Sequence, residues 1–157
     1  MAIPVCREPN MELRPYAVDS GTVIEKNWPV WLDTNDVKPA SDFTWDTDLA
    51  TTQAGFSVVF VGIAYESSAD GETNDILIDI SGNSVYEYDC ASATFQPGTP
   101  VAPAKDTGNA LLNNKLVSCA AAAAIGRTVA PVQTSVTRVR AKFASAHQPL
   151  NVNANVG

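Results

Sequence analysis

The clearest pattern in the chain is a strict alternation of apolar and basic residues near its C-terminal end. The alternating residues are Val139, Ala141 and Phe143 on one side and Arg138, Arg140 and Lys142 on the other. Because successive side chains of a β-strand point to opposite faces, the pattern predicts a half-buried antiparallel strand over 136–143. One face of that strand would be basic.

Residues 56–90 carry patterns that predict three further strands. The segment 56–65 is rich in β-branched and aromatic residues, isoleucines recur at every second position over 76–80, and 85–90 is again typical of a strand. The turn signals Asp70-Gly71 and Gly82-Asn83 separate the three segments. We therefore expect a three-stranded meander.

Two other segments have less regular patterns. Residues 33–52 form a polar stretch that predicts a loop, in which Phe43 and Trp45 either fold back onto the core or form a contact patch. Residues 120–124 are five alanines, which favour helix but are too few to form one alone. We interpret them as a packed strand or a strand–turn passage.

These patterns predict an all-β protein, a small antiparallel β-barrel or sandwich over residues 21–145. The chain of 157 residues suits one domain, and 45% apolar residues suffice for one core. Residues 146–157, rich in asparagine, are expected to form an irregular C-terminal tail.

Residues 1–20 contain prolines at positions 4, 9 and 15, a density that prevents a helix. We interpret the segment as an extended N-terminal arm that lies along a partner; the alternative is an N-terminal strand of the chain's own domain. Deletion of residues 1–15 is then expected to leave the domain folded but to weaken its attachment to the partner. The apolar residues of the arm are Ile3, Val5, Met11, Leu13 and Tyr16.

Charge divides the chain unevenly. Residues 1–103 hold four basic and sixteen acidic side chains, a net of −12, and residues 104–157 hold six basic and one acidic, a net of +5. The overall charge of −7 argues against nucleic acid as a partner. Such a division favours contacts between oppositely charged faces of neighbouring subunits. Alternatively, the two parts neutralise each other within one fold.

Candidate catalytic groups are sparse. His147 is the single histidine and falls in the predicted tail, where it is expected to face solvent. The odd number of cysteines, Cys6, Cys90 and Cys119, predicts reduced thiols rather than a disulfide framework or zinc site. We expect neither an enzyme nor a cofactor.

Acidic residues cluster at one predicted hairpin. They are of a type that binds hard cations or, when paired, hydrolyses glycosides, but the segment lacks EF-hand spacing. A solvated hairpin tip explains the cluster equally well. The residues are Glu66, Asp70, Glu72 and Asp75.

The order of several segments resembles a known family. Gly62-Ile-Ala, an acidic loop, Asp75-Ile-Leu-Ile and the run from Val85 to Val101 are followed by Asn109-Ala-Leu, Ala124-Ile-Gly-Arg and the strand Thr137-Arg-Val-Arg-Ala-Lys-Phe. Over residues 20–145 this is similar to the capsid cement, or decoration, proteins of tailed bacteriophages. The N-terminal arm and the Asp-rich loop depart from that pattern.

The resemblance implies a β-module that clamps major capsid subunits on the outer surface of the virion, often as a trimer, after assembly in the host cytoplasm. No signal peptide or membrane segment is expected. The predicted partner contacts are Ile3, Val5, Met11, Leu13 and Tyr16 of the arm, together with Arg138, Arg140 and Lys142.

A second hypothesis is a secreted carbohydrate-binding or adhesin-like β-sandwich. The aromatic side chains that would stack on sugars are Trp28, Trp31, Trp45 and Tyr86.

Overall fold

A computed structural model describes residues 3–148, and strands are the main regular secondary structure, covering a little under half of these residues. The eleven strands are β1 (Val5–Glu8), β2 (Leu13–Tyr16), β3 (Pro29–Asp33), β4 (Asp36–Pro39), β5 (Phe60–Ala64), β6 (Ile76–Asp79), β7 (Val85–Phe95), β8 (Pro100–Lys105), β9 (Leu111–Ser118), β10 (Gly126–Thr128) and β11 (Gln133–Phe143). One helix, α1 (Leu49–Val59), precedes β5, and short 3-10 turns cover Ala40–Asp42 and Ala121–Ala123. The all-β prediction is confirmed.

The strands form two sheets. In the first, the order is β1-β7-β11-β10-β8-β9, and an additional pairing of β7 with β9 closes five of these strands into a barrel. In the second, the order is β2-β6-β5-β3-β4. Among the named strands of residues 3–148, only β7 and β9 pair in parallel. Nearly all pairing between these strands is therefore antiparallel, as expected.

A shared aromatic core joins the two sheets into one unit. Phe60 of β5 lies 6.2 Å, ring centre to ring centre, from Phe143 of β11, and Tyr88 of β7 lies 5.5 Å from the same ring. All three side chains are buried. The barrel and the second sheet both contribute to this cluster, and the second sheet also packs a further cluster around Val30, Val61 and Ile78.

Gly62 allows β5 to pack closely against β6 in the second sheet. A Cβ atom at this position would lie 2.2 Å from the carbonyl oxygen of Asp79 on β6. No side chain other than hydrogen fits such an approach, so this glycine is required by packing between β5 and β6.

The helix is the main departure from the predicted elements. Residues 49–59 were expected to be the end of a loop and the start of a strand, and that prediction is wrong. The carboxylate of Asp48 accepts a hydrogen bond from the Thr51 backbone N–H at 2.8 Å and so begins the helix. Phe56 is then buried against Phe43, in an edge-to-face contact at 5.5 Å.

The N-terminal segment is extended, as predicted, but it lies in the sheets of its own chain. Strand β1 pairs with β7, and β2 pairs with β6. The alternative of an N-terminal strand in the same domain is therefore correct for the described part of the segment. Deletion of residues 1–15 would remove β1 and most of β2 from these pairings, so the expectation that the domain stays folded without them is wrong.

The predicted meander is correct for two of its three strands. β5 and β6 pair antiparallel around the Asp70-Gly71 turn. β7, however, crosses to the barrel after the turn at Gly82. The alanine segment forms a 3-10 turn between β9 and β10, so the packed-strand alternative is wrong and the strand–turn passage is correct.

Residues 146–148, the described start of the predicted tail, belong to no helix or strand but lie against the second sheet. The Ala146 N–H bonds to the carbonyl oxygen of Phe60 at 2.9 Å. The rest of the predicted tail lies outside the described residues.

Candidate partner-binding surface

The outer side of β1, β7 and β11 carries a network of arginines and carboxylates. Strand register places Arg138 opposite Asp89 and Arg140 opposite Glu87. On the other side of β7, β1 contributes Arg7. We call the outer surface formed by Arg7, Glu87, Asp89, Arg127, Arg138, Arg140 and Lys142 the arginine face.

Glu87 is the centre of this network. Its Oε1 accepts hydrogen bonds from Arg7 at 2.8 Å and from Arg138 at 3.0 Å, and its Oε2 accepts one from Arg140 at 3.1 Å. The side chain is only 11% exposed. The Arg7 guanidinium, followed by those of Arg140 and Arg138, lowers the pKa of Glu87 to about 2, although burial acts in the opposite direction. Glu87 is therefore ionised at neutral pH.

The predicted basic strand face exists, but much of its charge is paired within the chain. Arg138 also donates to Asp89 at 2.6 Å. The alternative interpretation, in which the two parts of the sequence neutralise each other, is therefore correct for Arg138. Arg7 and Arg140 keep side chains that are 44% and 48% exposed, so each guanidinium still faces solvent.

Sequence reasoning missed Arg7, Glu87 and Asp89. The signal for the two carboxylates was present, because Glu87 and Asp89 alternate with the buried Tyr86 and Tyr88 and must therefore point away from the core. Nothing in the sequence indicated which basic residues would lie above them.

Two further basic residues extend the arginine face beyond this network. Arg127 of β10 is directly opposite Lys142 of β11, and both are exposed. Directly opposed residues in an antiparallel pair project from the same side of the sheet. The face as a whole holds five basic and two acidic side chains, a net of +3, on a chain whose net charge is −7.

An apolar groove borders the arginine face at the start of β1. We call it the Trp28 groove, after the half-buried indole that lines it; it has a volume of about 410 Å³. The side chain of Ile3, 66% exposed, forms one wall, and Arg138 donates a hydrogen bond to the Ile3 carbonyl at 3.0 Å. Other lining residues are Glu25, Asp106 and Leu112.

The predicted partner contacts thus divide into two groups. Ile3 and Val5 lie on the same side of the molecule as Arg138, Arg140 and Lys142. Met11, Leu13 and Tyr16 lie in or next to β2 of the second sheet, where Leu13 and Tyr16 are paired with β6.

The expectation that His147 faces solvent is wrong. Its Nδ1 lies 2.9 Å from the Tyr16 hydroxyl, and the two rings pack at 5.6 Å. Burial lowers the pKa of His147 and raises that of Tyr16. The histidine is part of the contact that holds residues 145–148 on the second sheet.

Most of the aromatic side chains that the carbohydrate hypothesis requires are in contact with other side chains of the protein. Trp31 packs edge-to-face on Phe43 at 5.1 Å, and Tyr86 is only 2% exposed. Lys105 lies over the Trp45 ring at 5.6 Å. Among the four, Trp28 is the one that lines a groove.

The remaining candidate groups are separate from this surface. Over residues 3–148, no three His, Cys, Asp or Glu side chains are placed together as metal ligands. The three cysteines are free, and burial raises the pKa of each thiol, to about 11 at Cys119. Within the same described range, none of the helical segments has the length and apolar character needed to cross a membrane.

Comparison of the chain with protein-family models and with curated protein sequences finds no match.

Proposed function

We propose that the protein is a non-enzymatic structural protein that binds the outer surface of a tailed-phage capsid and stabilises contacts between major capsid subunits. The proposal rests first on the sequence resemblance to capsid cement proteins. The Trp28 groove is the feature of the surface that supports it, since an exposed isoleucine and an indole line the groove and the Arg138 guanidinium binds the carbonyl of that isoleucine. Trp and Arg are the residues most enriched where proteins bind other proteins.

In this proposal the groove receives an apolar side chain of the major capsid protein. Ile3 would be covered on binding, because it is two-thirds exposed and forms one wall of the groove. Arg138 fixes the backbone at this point through the Ile3 carbonyl. Binding to a groove wall that is already held in position costs less conformational entropy than binding to a segment that must first become ordered.

The experiment is co-sedimentation of the purified protein with assembled capsids that lack it. We expect saturable binding by the wild type and at least tenfold weaker binding by Ile3→Ser and Trp28→Ala. Val58→Ser is the matched control, since Val58 is 64% exposed but lies on α1. Absence of binding by the wild type, or equal binding by all variants, would overturn the proposal.

One observation supports the alternative function, carbohydrate binding. Trp28 shares its groove with the carboxylates of Glu25 and Asp106, a combination of a flat aromatic surface and hydrogen-bond acceptors that suits a sugar. A glycan array distinguishes the two functions. Binding to a glycan that is lost in Trp28→Ala would favour this alternative, and an empty array would remove it.

A further inference from the structure

Two side chains of the arginine face, Arg140 and Lys142, have donor groups with no acceptor among residues 3–148. Arg140 contacts Glu87 through Nε, and its two Nη atoms have no partner among the described residues. Lys142 is exposed and forms no ion pair within residues 3–148. Glu87 holds the Arg7 and Arg140 guanidiniums in place, so a second carboxylate would meet donors that are already oriented.

The loop between β5 and β6 has the opposite charge to the arginine face. Residues 66–75 contain four acidic and no basic residues, and all four acidic side chains are exposed. The carboxylates of Asp70 and Asp75 have no hydrogen bond or ion pair with any described residue. We call this segment the acidic loop.

The acidic loop is a fixed projection. The Gly71 N–H bonds to the Ser20 carbonyl at 2.7 Å, and Ser68 and Ile24 exchange two backbone hydrogen bonds at 2.8 and 2.9 Å. Within the loop, Glu72 accepts a hydrogen bond from the Ala69 N–H at 3.1 Å. Its free carboxylates are therefore presented at defined positions, which lowers the entropic cost of a contact.

Within residues 3–148, no ion pair joins the acidic loop to the arginine face. We propose that the two bind each other between copies of this chain: the arginine face of one copy receives the acidic loop of the next. The loop carries a charge of −4 and the face +3. Within residues 3–148, Asp70 and Asp75 of the loop and Lys142 of the face form no ion pair. Such a contact is head-to-tail, because the two surfaces differ. It continues from copy to copy and either closes into a ring or extends as an open filament.

This inference does not depend on capsid binding. The proposed capsid contact lies in the Trp28 groove, and the self-association uses the acidic loop with Arg7, Arg140 and Lys142. Failure of one experiment therefore leaves the other unaffected.

The first test is the molar mass of the purified protein, measured by sedimentation equilibrium at low and high ionic strength. Screening acts over about 30 Å at 0.01 M salt but only about 3 Å at 1 M salt. We expect an assembly of several chains at low salt and a single chain at high salt. A single chain at both, or an assembly that salt does not change, would overturn the proposal.

The second test uses two variants. The face variant, Arg7→Gln with Lys142→Glu, leaves Arg138 and Arg140 on Glu87, so we expect it to fold. The loop variant, Asp70→Lys with Asp75→Lys, changes side chains that have no partner among the described residues. Each variant alone should remain a single chain at low salt.

An equimolar mixture of the two variants gives the sharpest result. The face variant keeps a normal loop, and the loop variant keeps a normal face, so one contact can form but no further copy can add. We expect complexes of two chains only. Larger assemblies, no complex at all, or either variant assembling alone like the wild type would overturn the head-to-tail contact.

The control is Arg14→Gln with Lys105→Glu. It changes the net charge by −3, as the face variant does, at two exposed residues outside the arginine face. We expect it to assemble like the wild type. If it dissociates as fully as the face variant, the effect is one of total charge, and the proposed contact is wrong. Circular dichroism of each variant verifies the fold, and Lys142→Glu alone replaces the face variant if that variant unfolds.

Discussion

Replacement of Glu87 by glutamine should destabilise the fold in a pH-dependent manner. The substitution preserves the shape of the side chain but leaves the guanidiniums of Arg7, Arg138 and Arg140 without their shared counter-charge. The pKa of Glu87 lies at about 2, against an ordinary value of 4.5. At about 1.4 kcal/mol per pKa unit, and with allowance for the half-exposed arginines, the carboxylate contributes on the order of 2–3 kcal/mol at neutral pH.

The sign of the pH dependence follows from the lowered pKa. The folded state favours the ionised form, so this stability is complete above pH 4.5 and is lost as the pH falls towards 2. The difference in free energy of unfolding between wild type and Glu87→Gln should be largest at pH 7 and should narrow steadily below pH 4.5. Urea unfolding followed by fluorescence of the three tryptophans measures it.

Glu8→Gln is the control, because Glu8 is exposed on the neighbouring strand β1 and has no ion pair with a described residue. We expect it to change stability by less than about 0.5 kcal/mol at any pH. A loss in Glu87→Gln as small as that of the control, or a loss that is the same at pH 7 and pH 3, would refute the reasoning.

Three further predictions concern packing and titration. Gly62→Ala should lower the free energy of unfolding by about 1–3 kcal/mol in thermal unfolding, because the new Cβ meets the Asp79 carbonyl. Gly21→Ala is the control, since a Cβ at Gly21 would have no atom within 4 Å. Equal effects of the two substitutions would contradict the packing argument. The NMR signal of His147, the single histidine, should titrate below pH 6.5, so that the contact between residues 145–148 and the second sheet weakens as the pH falls; a midpoint at or above 6.5 would contradict this. Cys119, whose thiol pKa is about 11, should react with a thiol reagent at pH 8 far more slowly in the folded protein than in urea, and equal rates would show that the thiol is not buried.

Local sequence patterns were sufficient to predict the strands whose two faces differ in polarity. In β11, Val139, Ala141 and Phe143 are buried as the alternation predicted, since the period of two is a property of the strand backbone itself. The helix was missed because residues 56–59 have the β-branched and aromatic composition of a strand. Its start was nevertheless visible in principle at Asp48, a residue type that caps helices.

The candidate surface was predictable only in part. The basic face of β11 followed from the sequence, but the pairing of Arg138 with Glu87 joins residues 51 positions apart. That pairing depends on the register of β11 against β7 and, for Arg7, on a bulged pairing of β1 on the far side of β7. Register over such separations is set by closure of the barrel and burial of its core, which no local pattern contains.

The sequence by itself determined the all-β class, the two-faced closing strand and the unequal division of charge. Each is a property of composition or of neighbouring residues. The tertiary structure decided that the N-terminal segment belongs to both sheets and that His147 lies against Tyr16. It also decided that Glu87 forms ion pairs with three arginines while the acidic loop forms none with them. The physical reason is the same in each case: these contacts join distant parts of the chain, and their geometry exists only after both sheets have packed on the shared core.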